Sequence, residues 1–140
     1  MHALKEARRV LKQDGRMIDV RPLCIDVPLE VVYEGRSASA GVVDLSPDIA
    51  RDIASDKALS IAFADQIIIE TRLEDFTVSF YWNSIDEMKA DLDEDWKDEV
   101  VITPDIWQRA GELLAAQPAG AKLRLAIRTK LGVYKVAMMS

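Results

Sequence analysis

Apolar residues recur at helical spacing at the start of the chain. Ala3, Leu4, Ala7, Val10 and Leu11 fall on one stripe, with Lys5, Arg8, Arg9 and Lys12 between them. Gly15 then stands where a helix C-cap takes a left-handed residue. From Arg16 to Arg21 the spacing changes to two, with Met17 and Asp19 against Ile18 and Val20, and Pro22 closes the run. The pattern predicts a helix followed by a strand. Leu29 to Tyr33 reads as a second strand, Gly35 to Ser39 as a turn-rich break, and Gly41 to Leu45 as the returning arm of a hairpin.

Ser46-Pro47-Asp48 carries the signals of a helix start: a side-chain cap, a proline suited to the first turn, and an acid at the positive helix end. The helix is expected to run to about Ala64, with Ile49, Ile53, Ala54, Ala58 and Ile61 on its buried stripe. A strand or its approach follows at Asp65 to Glu74. A half-buried strand is expected where Phe76, Val78 and Phe80 alternate with Thr77, Ser79 and Tyr81. Asn83-Ser84 should cap a helix from Ile85 to about Leu92. Thr103-Pro104-Asp105 should start another, carrying Ile106, Trp107, Ala110, Leu113 and Leu114. After the break at Ala119-Gly120, Leu123, Leu125 and Ile127 alternate with polar residues. Thr129 to Gly132 reads as a turn and Val133 to Ala137 as a last strand, so the end of the chain is expected to be an antiparallel hairpin.

This order of elements predicts an α/β or α+β sandwich, and 140 residues are enough for one core in one domain over 1–140. The sequence has no apolar run long enough to span a bilayer and no basic-then-apolar leader at its N-terminus. A single cysteine, Cys24, excludes an internal disulfide, and the chain is expected to be cytoplasmic, with no membrane partner. A net charge of −6 argues against nucleic acid, whose non-specific affinity comes from Lys and Arg on phosphates. Charge is uneven: the N-terminus is basic, whereas Glu87, Asp91, Asp93, Glu94, Asp95, Asp98 and Glu99 make one acidic stretch.

The segment Leu4 to Pro22, "LKEARRVLKQDGRMIDVRP", resembles a helix–strand unit from the second half of class I S-adenosylmethionine-dependent methyltransferases. There a helix ending in a similar "EARRVLK" run feeds the fifth sheet strand through a glycine turn. The match is good over Ala3 to Val20, with Gln13-Asp14-Gly15 where the family shows Pro-Gly-Gly; elsewhere it is one of element order. The resemblance implies a partial Rossmann-like methyltransferase sheet, mixed in direction and flanked by helices. The family's last strand runs antiparallel, and the hairpin at 29–45 would be an insertion. The matched residues are scaffold in the family and do not bind cofactor.

Cofactor binding in that family uses a Gly-x-Gly loop, because only a bare backbone lets the ligand approach closely. The six glycines here, at 15, 35, 41, 111, 120 and 132, are nowhere spaced in that way. No cofactor is therefore expected for the isolated chain, and none of its residues is assigned to catalysis or cofactor binding. The resemblance implies a C-terminal half acting as a non-catalytic binding or interaction module. The alternative is a subunit or fragment of a methyltransferase whose cofactor-binding half is separate. The strand Arg16 to Arg21, central in the parent sheet, would be a free edge that invites pairing. A homodimer is expected, or else a complementary methyltransferase half.

Individual residues add little chemistry. His2 is the single histidine and lies next to the chain start. Asp91, Asp93 and Asp95 begin like a calcium loop, but Trp96 stands where the turn needs glycine and Ile102 where it needs glutamate, so no metal site is expected. Arg124 and Arg128 share a strand face that could meet an anion, although solvation or pairing with the acidic stretch carries more weight. If a small-molecule pocket exists, Tyr81, Trp82, Asn83 and Trp107 are the candidates for its wall. Core packing is the competing role for the aromatics among them.

Overall fold

The computed structural model describes residues 2–137; the side chain of His2 lies outside what is described. The element order is α1 (His2–Val10), β1 (Arg16–Pro22), β2 (Val27–Tyr33), β3 (Arg36–Val43), α2 (Ile49–Ala64), β4 (Ile68–Trp82), α3 (Ile85–Asp95), α4 (Pro104–Ala115) and β5 (Lys122–Val136). The fold is mixed α/β with a five-stranded antiparallel sheet. By contact density the chain divides into two compact units. The first holds residues 2–23, 50–76 and 128–137, and the second Cys24–Ile49 and Thr77–Ile127.

In the first unit, β1 lies antiparallel to the second half of β5, from Arg16 opposite Lys135 to Pro22 opposite Thr129. β4 also pairs with β5. Thr71 Oγ1 donates to Val133 O, and Ala137 N donates to Ile67 O. Those contacts run in opposite chain directions, so β4 is antiparallel to β5 as well. β5 therefore lies between β1 and β4, which share one direction. Among the described residues β1 pairs with β5 alone, and its other edge is open.

One face of these strands is packed. Met17 and Ile68 join Leu59, Ala62 and Phe63 of α2, Leu4 of α1, Ile67 and Tyr134. Phe63 and Tyr134 meet at 5.8 Å between ring centroids. α2 ends in a Schellman motif: Ile67 N donates to Ala62 O, Gln66 N to Phe63 O, and Gln66 takes the left-handed conformation at φ 56°. The Ile67 side chain then packs back beside Ala62.

The second unit places the first half of β5 beside β2, with Leu29 opposite Leu125 and Val32 opposite Lys122. β2 and β3 form a hairpin closed by Glu34-Gly35. Both turn residues have positive φ, 46° and 76°, the geometry whose twist matches a two-residue hairpin. α3 and α4 cover the face carrying Leu29, Val31, Val43, Leu123 and Leu125. Gly41, at φ 140°, lets β3 pass under α4: an added Cβ would come within 2.9 Å of Ile106 Cγ1. α3 starts with a reciprocal cap, Ser84 Oγ accepting from Glu87 N at 3.1 Å and Glu87 Oε2 accepting from Asn83 N at 2.8 Å.

A glutamate at Glu34 sits in backbone space that L side chains disfavour, whereas asparagine tolerates it. Glu34→Asn is expected to stabilise the hairpin by about 0.5–1 kcal/mol. A higher denaturant midpoint with an unchanged slope would register it.

Several sequence expectations need correcting. The chain does not end in a hairpin: Lys122–Val136 is one strand, and Leu131-Gly132 lies inside it. β4 runs unbroken from Ile68 to Trp82, the single strand expected between α2 and α3. The sheet is antiparallel, not a partly parallel doubly wound one. Phe76, Val78 and Phe80 are only partly covered, at 39%, 36% and 37% exposure, and the fully buried aromatic of this row is Trp82. On α2 the buried positions are Leu59 and Ala62, while Ile49, Ile53 and Ile61 face out. Ser46–Asp48 forms a 3₁₀ turn before α2, with Asp44 Oδ1 accepting from Ser46 N at 2.8 Å. α1 ends at Val10, so Gly15 is not its cap. Gly15 sits in the following turn, where an added Cβ would crowd Lys12 O at 2.9 Å. The break expected at Gly35 to Ser39 is confined to Glu34-Gly35.

Candidate functional site

The four residues named from sequence as a pocket wall occupy different environments. Trp82 is buried at 4% exposure, and its Nε1 donates to Asp91 Oδ2 at 2.7 Å. Its ring stacks at 6.4 Å from Phe80, which in turn makes a T-shaped contact with Trp96 at 5.0 Å. That is core packing, with the indole N–H satisfied as buried tryptophan requires. Asn83 is an exposed bend residue whose backbone serves the α3 cap. Trp107 is half-buried on α4 and Tyr81 is 51% exposed on β4, and each borders a different cavity.

Trp107 borders an open groove of about 590 Å³ with Trp96, Leu92, Ile102, Lys89 and Asp93. Lys89 Nζ lies 5.1 Å from the centroid of the Trp107 ring. Part of the acidic stretch forms its rim. Among the described residues, no group of three or more His, Cys, Asp or Glu side chains is placed to hold a metal.

Tyr81 borders a cleft of about 370 Å³ at the β2–β3 turn, with Tyr33, Glu34, Arg36, Lys122 and Arg124. Arg124 donates to Glu30 through Nε at 3.3 Å and Nη2 at 3.0 Å. Arg124 therefore pairs with Glu30 rather than with the acidic stretch. Sequence reading placed Arg124 on a strand face that could meet an anion. It could not supply Arg36 and Lys122, which only the pairing of β2 with β3 and β5 brings there.

The first unit carries a charged cluster that sequence reading missed. Arg21 donates to Asp19 at 2.8 Å and to Asp56 at 2.9 Å, and Lys130 approaches Asp56 at 3.8 Å. The hydrogen bond from Arg21 holds the Asp56 carboxyl below the usual carboxylate range. The stabilisation from that pair is therefore present above the ordinary carboxylate pKa and fades as pH falls through the depressed one. Nearby, the Tyr134 hydroxyl is buried without a partner among the described residues. Burial, then Asp19 and Glu70, push its pKa up. At 1% exposure it is sealed from any substrate.

The opposite face of the first unit's strands is apolar and bare. Alternation from Met17 and Ile68, both in the core, sends Ile18, Val20, Ile69 and Leu73 the other way. They are 63%, 52%, 54% and 48% exposed, and half-buried Leu131 and Val133 lie opposite Val20 and Ile18. Open antiparallel faces are normally polar.

The residues present do not fit S-adenosylmethionine. Gly35 serves a hairpin turn, Gly41 the approach to Ile106, and Gly132 the Tyr134 ring. Gly15 and Gly120 precede strands, and Gly111 lies within α4. No glycine occupies a strand-to-helix turn, so no step through that cofactor is derived. No protein-family model, curated protein or solved structure matches the chain. Among the described residues no helix is long and apolar enough to cross a membrane.

Proposed function

We propose that this protein is a methyltransferase-like, non-catalytic interaction module that acts as a homodimer. The observation that carries the reading is the bare apolar face of Ile18, Val20, Ile69 and Leu73 beside the open edge of β1. An exposed apolar patch with an unpaired strand edge is the usual mark of an interface. The methyltransferase part rests on the α1–β1 segment and on a last strand that runs antiparallel to its neighbours. The absence of Gly-x-Gly spacing supports the non-catalytic part. A second copy is the occupant chosen, because each copy brings the same face and edge and twofold pairing satisfies both. Neither nucleic acid nor a membrane is proposed as a partner.

The same open edge favours a second reading, in which a separate chain carrying the cofactor-binding half of a methyltransferase continues the sheet beyond β1. Light scattering over a concentration series separates the two. A dimer that Ile18→Glu combined with Ile69→Glu converts to a folded monomer is expected. A wild-type monomer at all concentrations overturns the homodimer. Saturable binding of S-adenosylmethionine by the isolated chain, seen by calorimetry, overturns the non-catalytic assignment.

A further inference from the structure

We propose that the cleft beside the β2–β3 turn binds a small phosphate monoester carrying a flat ring. The cleft lies on the solvent face of the second unit's sheet. Val31 points into the core, so Val32 faces out with its register partners Ser37 and Lys122. The turn at Glu34-Gly35 closes one end. At about 370 Å³ the hollow suits one small molecule, near the lower end of the ligand-pocket range of roughly 300–1,000 Å³.

Its charge runs against that of the chain. The protein carries a net −6, yet the lining brings three cations, Arg36, Lys122 and Arg124, to one acid, Glu34. The cations come from β3 and β5, so chain proximity does not explain their meeting. Arg124 is held on two points by Glu30 and has Tyr81 beside it. A guanidinium fixed in advance loses little freedom when a ligand arrives. Glu30 offsets much of the Arg124 charge, which leaves exposed Arg36 and Lys122 as the attracting pair. Two cations match a phosphate monoester, which carries about −1.5 to −2 at neutral pH, better than a single carboxylate. Tyr81 adds a ring and a hydroxyl donor to the same lining, while the Tyr33 ring packs back against the core beneath it.

This inference does not depend on the dimer or on the methyltransferase resemblance. The test is calorimetric titration of the full chain with phenyl phosphate at low ionic strength, with inorganic phosphate and phenol as comparators. Saturable binding at one site per chain is expected, weakening as salt screens it. Lys122→Ala with Arg36→Ala should weaken it roughly ten-fold or more, a loss of two charged contacts. Glu34→Asn, which removes the one acid of the lining, should tighten it. Melting curves establish that the exposed-site variants stay folded. Light scattering on the same samples records oligomeric state, so a failed dimer and a failed ligand site are told apart. No saturable heat, phenyl phosphate no tighter than inorganic phosphate, or affinity indifferent to the double substitution would each overturn the proposal.

Discussion

Gly132→Ala is expected to destabilise the first unit by about 2 kcal/mol, the cost of overpacking a filled core. The cause is local. Gly132 lies inside β5, and the Tyr134 ring, two residues on and on the same strand face, leans back over it. A Cβ at Gly132 would overlap the Tyr134 hydroxyl and Cζ, and would stand 2.7 Å from Cε2. The ring has nowhere to go, because Tyr134 is 1% exposed and packed against Phe63, Leu59 and Met17. A thermal melt should show a midpoint lowered by roughly 4–8 °C for a chain of this size. In a Tyr134→Leu background the alanine should cost much less, giving a coupling energy of order 1 kcal/mol in a double-mutant cycle. Strictly additive effects would mean that the ring moves aside and the explanation fails.

Trp82→Ala should be the more damaging substitution, costing the second unit roughly 3–5 kcal/mol. Trp82 joins the cluster built from Leu29, Val43, Met88, Ile106 and Leu125. Its loss leaves a large void between β4 and the helices and strands a carboxylate, since Asp91 accepts the indole N–H. A domain of ordinary stability has only about 5–15 kcal/mol in total, so the variant is expected to be marginal. Trp82→Phe should cost less than half as much, because it keeps a ring in the site while removing the hydrogen bond. Denaturation followed by far-UV circular dichroism measures both without relying on the tryptophan that is removed. A Trp82→Ala midpoint close to wild type would return Trp82 to the role of pocket wall.

The contrast between Trp82 and its neighbour Tyr81 marks what was legible in the sequence. Alternation says that two adjacent strand residues face opposite ways. It does not say which side is filled, because that depends on where α3 and α4 come to rest. Helix starts were legible where the signal is local, as with the side-chain cap at Ser84 and the proline in the first turn at Pro104. Strand continuity was not. Thr129 to Gly132 reads as a turn, yet it is held extended by its pairing with β1, a neighbour distant in sequence. On α2 the chain offers two apolar stripes, and tertiary packing chose Leu59 and Ala62 over the isoleucines. The candidate cleft was the least visible feature, because it joins three segments through two strand pairings.

The order of the elements also has a consequence for synthesis. β5 is the partner that β1, β2 and β4 all need, and among the described residues it follows every other helix and strand in chain order. While residues 122–136 are still unmade, Leu29 has no Leu125 to face and Met17 has no Tyr134. A growing chain can close the β2–β3 hairpin and wind its helices, but neither core can shut. Contacts this distant in sequence form late and slowly. Until then the apolar residues of β1 and β4 meet solvent, or a chaperone, as open strand edges. Both units should therefore gain their protection in one late step rather than one after the other from the N-terminus.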